Sequence, residues 1–281
     1  MGNDGLGVTL KYCLFIVVVV IATSLFGCVA SDVSETAGVD VNPVLLMIDG
    51  GKLYDAWWLE DEGAVEPKTD NPLWKLQTTN KRSGSDTWRC KECHGWDYKG
   101  KDGAYATGSH KTGFPGILAR HYYLTTEEIE SILKGSKNPD HDFSSVISHA
   151  SIHKIAVFVR TGLIDLEHYV DYSTKKPHQA DIENGKEIYV RTKCSHCHGE
   201  NGDQAASSAD EFLGVVANTN PWEFIHKTRF GSAGVVMPAL KIKLPPDEKR
   251  DKMPSGVHSG YGIQDILDLL GFVRTLPSPV K

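Results

Sequence analysis

Cysteine is scarce in this chain and narrowly placed. There are six in 281 residues: Cys13, Cys28, Cys90, Cys93, Cys194 and Cys197. The last four form two C-x-x-C-H pentads and the first two lie in an apolar N-terminal run. None is left for a disulfide framework. Basic charge is also lacking. The formal net charge is −6 and no basic stripe is visible, which argues against a nucleic-acid partner and is compatible with a basic protein partner. Strand signals are few, so the chain reads as mainly α with long loops. Its length allows about two ordinary domains.

The N-terminus reads as an export segment, residues 1–30. Tyr12 to Ala30 is uncharged and mostly apolar, and Lys11 precedes it. Leu25-Phe26-Gly27-Cys28 resembles the bacterial lipobox, although phenylalanine is unusual at its second position. Three fates stay open: lipidation at Cys28, an uncleaved anchor, or cleavage after Ala30. Each puts the remainder outside the cytoplasm, on the periplasmic side of a bacterial membrane. Residues 31–43 read as a tether.

Two similar units follow, 44–165 and 181–281, joined by a linker at 166–180. Each begins with a short helix signal, Gly51-Lys52-Leu53-Tyr54 in one and Gly185-Lys186-Glu187-Ile188-Tyr189 in the other. The pentad comes next, then a capped helix. Thr125 and Glu128 make a capping box with Gly135 at the stop; Asn220 caps, Pro221 opens and Gly231 stops the counterpart. An amphipathic helix closes each unit. Ile152, Ile155, Ala156 and Val159 match Ile266, Leu269, Leu270 and Val273 in spacing, and both helices carry Phe-Val-Arg-Thr. The first unit has an insertion, 57–88, with Trp57, Trp58, Trp74 and Trp88. Packing is the plain reading of these tryptophans, and a partner-docking surface is the sharper one.

C-x-x-C-H is the attachment signature of c-type haem. Residues three and four apart share a helix face. Two thiols can therefore reach the vinyl groups of one porphyrin, and the next histidine can reach its iron. Cys90 and Cys93 would hold one haem with His94 on its iron. Cys194 and Cys197 would hold a second with His198. A single zinc site made from both pairs is disfavoured by their separation. A thioredoxin-like dithiol lacks its βαβ surroundings.

The pentads, the Cys-His-Gly tripeptides at 93–95 and 197–199, the flanking helices and a Met-Pro at 237–238 together resemble the cytochrome c family, specifically tandem dihaem c-type cytochromes, over about residues 44–281. The resemblance implies two cytochrome c-like helical domains, each wrapped around one covalently attached haem c, and electron transfer between a redox-protein donor and acceptor. It makes Met237 the distal ligand of the second iron, with Met253 as second choice. The first unit departs from the pattern, because no methionine follows Cys93 before Met237. Aligning the helix stops puts His141 six residues after Gly135, as Met237 is six after Gly231. His141 is the expected distal ligand of the first iron, with His110 or an open position as alternatives. His149, His153 and His121 read as structural.

A second histidine generally leaves the potential lower than His/Met ligation does. Electrons are thus expected to pass from the first haem to the second. The competing classes are a dihaem enzyme with an open first site, either peroxidase-like or oxidising a small inorganic sulfur compound, and a haem sensor for which no output domain is visible.

Overall fold

A computed structural model describes residues 42–240 and 261–278. The export segment with Cys13 and Cys28, nearly all of the tether, and Met253 lie outside the described residues. The described residues hold ten helices: α1 Pro43–Ala56, α2 Cys90–His94, α3 Leu118–His121, α4 Thr126–Leu133, α5 His149–Thr161, α6 Ile182–Arg191, α7 Cys194–His198, α8 Leu213–Thr219, α9 Pro221–Phe230 and α10 Ile263–Val273. Short 3-10 turns link them. Among the described residues the only β-structure is four isolated bridges. The fold is mainly helical, consistent with a cytochrome c-like arrangement.

The helix ends follow local chemistry. Asn42 caps α1 ahead of Pro43. Thr125 and Glu128 exchange the two bonds of a capping box on α4. Asn220 caps α9 ahead of Pro221, and Gly231 ends it at φ +89°. The eight apolar residues singled out on α5 and α10 are all buried.

The same helix crossing occurs twice. α1 packs on α5, and α6 packs on α10. A Cβ at Gly50 would sit on the Lys154 carbonyl and 2.6 Å from Phe158 Cβ. One at Gly185 would sit on the Asp268 carbonyl and 2.9 Å from Phe272 Cβ. Only glycine lets the two backbones come this close. Four residues on, Tyr54 donates to the Gly95 carbonyl at 2.7 Å and Tyr189 to the Gly199 carbonyl at 2.6 Å. The equivalent of Gly185 is therefore Gly50. This corrects by one residue the register expected from the shared Gly-Lys pair; Gly51 faces Phe230 instead.

The described residues form one compact unit with two cores. The cores exchange side chains. Phe230 of α9 joins the first, while Trp96 and Tyr105 join the second. Leu166 and Val170 of the 166–180 segment are also packed in the second core. His226 of α9 is buried where the halves meet. Its Nδ1 is 2.8 Å from the Tyr98 hydroxyl and its Nε2 is 2.9 Å from the Gly51 carbonyl.

Candidate haem-binding sites

Each pentad is a one-turn helix, α2 and α7. Each ends on a glycine at positive φ, +79° at Gly95 and +73° at Gly199, where a side chain would be strained. The turn places both thiols and the following histidine within one helical face. Tyr54 and Tyr189 tie the carbonyl of that glycine to the first helix of each half.

In the first half Arg89, just ahead of Cys90, pairs with buried Asp55. Burial raises the Asp55 carboxyl, and Arg89 outweighs that and holds it below its usual value. Glu92, between the two cysteines, is fully buried. It accepts from Lys91, from His110 Nδ1 at 3.2 Å and from Asn80 at 3.4 Å, with Arg82 Nε 3.4 Å away. Burial alone would raise its carboxyl; the His110 hydrogen bond and Lys91 bring it far below the ordinary range. Burial pushes the Cys90 thiol up to about 12 and raises Cys93 as well. Among the described residues no three His, Cys, Asp or Glu side chains gather as a metal cluster, so the two cysteine pairs do not build one zinc site.

The His94 and His141 rings are neighbours, with centres 6.3 Å apart and planes 69° apart. A metal–imidazole bond of about 2.1 Å plus roughly 1.1 Å from nitrogen to ring centre, taken twice, is about 6.4 Å. The gap thus fits one metal between two imidazoles. His94 Nδ1 is 2.8 Å from the Pro115 carbonyl, which would leave Nε2 as the nitrogen able to ligate a metal. His141 Nδ1 is turned to the Ile132 carbonyl at 3.5 Å. Burial, with His141 adding, pushes the His94 imidazole down to about 4, and burial lowers His141 too. Both are neutral at pH 7, the form that binds metal. The donor set therefore fits haem: Cys90 and Cys93 would supply the thiols that attach it, and His94 and His141 the nitrogens for its iron.

His110 is drawn elsewhere. It stacks on Tyr105 at 4.5 Å and lies between Glu92 and Arg82. His121 is buried against Tyr122. His153 meets Glu130 at 2.7 Å, one turn from exposed His149.

In the second half Cys194 is half-buried and Cys197 exposed. Burial lowers the His198 imidazole, opposed by a backbone contact at Gln204. Met237 is half-buried on the loop after α9 and closes a bridge with Ser232. Cys194, Cys197 and His198 offer the second half two thiols and an imidazole, and Met237 a thioether in place of the second imidazole.

Residues 182–277 match the family model described as Cytochrome c. The match runs from the start of α6 past the end of α10 and includes the second pentad. No curated protein and no solved structure matches the chain. A cytochrome c domain implies covalently bound haem c, with its iron, and electron transfer. The first half shares with this domain the glycine crossing, the tyrosine tie and the glycine-capped pentad.

Sequence reasoning missed Pro115, Phe143 and His226, and named Trp88 only as one of four insertion tryptophans. The tyrosine tie was also missed, although the repeated Gly-x-x-x-Tyr was a usable signal for it. Nothing local marks Pro115, Phe143 or His226.

Proposed function

We infer that the chain is a dihaem electron carrier. It holds one haem c on Cys90 and Cys93 with His94 and His141, and a second on Cys194 and Cys197 with His198 and Met237. It passes single electrons between a donor and an acceptor protein on the outer side of a membrane, to which its N-terminal segment tethers it. The observation that carries this reading is the His94–His141 pair at 6.3 Å, together with the cytochrome c match of the second half.

The bound group supplies one-electron iron chemistry. The residues set how it is held. His94 is oriented by Pro115, and two imidazoles at the first iron leave it at a lower potential than imidazole and thioether leave the second. Transfer then runs from the first half to the second.

The test is haem content followed by carbon monoxide. The reading expects two haems per chain and no gas binding to the dithionite-reduced protein. His141→Ala should open one position and bind one carbon monoxide per chain. Gas binding to the unaltered protein would favour an enzyme built on an open first site. One haem per chain would end the dihaem reading.

A further inference from the structure

Two tryptophans of the insertion are buried and two, Trp58 and Trp88, are half-buried against the first core. Trp57 is fully buried and Trp74 nearly so. Three indole N–H groups donate to backbone: Trp57 to Trp88 at 3.2 Å, Trp74 to Arg82 at 2.9 Å and Trp88 to Thr69 at 2.7 Å. Asn71 N–H donates to Thr87 Oγ1 at 2.8 Å. The segment thus satisfies much of its own polarity and is fixed against the first core.

What it fixes there is a row of rings. Trp57 meets Trp88 edge to face at 6.4 Å. Trp88 meets Phe143 at 5.9 Å with planes 80° apart. Phe143 meets His141 at 5.0 Å with planes 84° apart. Beyond His141 stands His94. Edge-to-face contacts at these separations are favourable and directional. Phe143 is itself buried, with its N–H donating to the Leu133 carbonyl at 2.9 Å. His141 needs such support. Its own anchor to Ile132 is long, and it sits on a three-residue 3-10 turn.

We propose that Trp88, acting through Phe143, is the positioning residue that holds His141 opposite His94, so that the insertion keeps the sixth position of the first haem closed. The proposal rests on His141 as an iron ligand. Phe143 fills the space behind the imidazole, and Trp88 stops Phe143 from turning away. Without Trp88, Phe143 gains room and His141 can leave the metal.

The experiment compares Trp88→Ala, Trp88→Phe, Phe143→Leu and His141→Ala as full-length holoproteins, each checked for two haems. The readouts are carbon monoxide binding to the reduced protein and the potential of the first haem. Trp88→Ala should bind one gas molecule per chain where the unaltered protein binds none, and its first potential should rise. Trp88→Phe should restore the closed state. Phe143→Leu nearly keeps the core volume and should also open the site, so it answers the question if Trp88→Ala fails to accumulate. If His141→Ala opens the site while Trp88→Ala and Phe143→Leu stay closed at unaltered potential, the positioning role is overturned. If His141→Ala leaves gas binding unchanged, the ligand assignment has failed instead.

Discussion

Replacing His226 with glutamine should flatten the acid sensitivity of the fold. The imidazole is almost wholly buried, between Tyr98 and Gly51. A carbonyl can only accept, so Nε2 carries the proton and Nδ1 accepts from the Tyr98 hydroxyl. Burial pushes the imidazole down to about 4. The Gly51 hydrogen bond and Asp55 oppose that shift, while Arg229 and Lys227 add to it. An unfolded histidine titrates near ~6.5. Between these values the unfolded chain holds a proton that the folded chain refuses. Stability therefore falls as pH drops through that window and levels off below it. At about 1.36 kcal/mol per unit, the loss is roughly 3 kcal/mol. Glutamine keeps a donor and an acceptor but does not titrate. At pH 7 it should cost about 1–2 kcal/mol through imperfect hydrogen bonding. Near pH 4 it should match or exceed the unaltered protein. Guanidinium unfolding followed by circular dichroism at pH 7, 5.5 and 4 measures the difference. Parallel stability curves for the two proteins would refute the reasoning, because His226 would then carry no proton linkage.

Gly185→Ala places a methyl on the Asp268 carbonyl and should cost about 1–3 kcal/mol or more. That corresponds to a fall in melting temperature of about 2–4 °C per kcal/mol, read by calorimetry; Gly50→Ala should behave alike, and an unchanged melting point in both would remove the close crossing from the account. Asp55→Asn takes from the half-buried Arg89 guanidinium the closer of its two carboxylates and leaves Asp86 at 3.3 Å, and should destabilise by about 1–3 kcal/mol. Denaturant titration at neutral pH checks it, and a cost under about 1 kcal/mol would mean the pair is solvated as a surface pair is.

The parts legible in the sequence were those with a short-range cause. The capping box at Thr125 and Glu128, the Asn220-Pro221 start and the Gly231 stop are written within a turn of the residues they control. The buried stripe on α5 and α10 follows from their periodicity. The shared Gly-Lys pair misled the register by one residue. Closeness of the crossing selects the glycine that faces the partner backbone, and Gly50 does so while Gly51 faces Phe230. Composition did not say whether the insertion packs inward or offers a docking face; Trp57 and Trp74 are buried, as the packing reading expects, while Trp58 and Trp88 stay half-buried.

The sequence by itself determined two pentads, their one-turn helices and the histidine that follows each cysteine pair. Helical spacing makes neighbours of residues three and four apart whatever the rest of the chain does. The spacing after Gly135 favoured His141, but only the tertiary structure put its ring beside His94 and showed His110 taken up by Glu92, Arg82 and Tyr105. It alone put His226 of one half between Tyr98 and Gly51 of the other. Those pairings join residues distant in the chain. They depend on which apolar faces are buried together, and no local pattern records that choice.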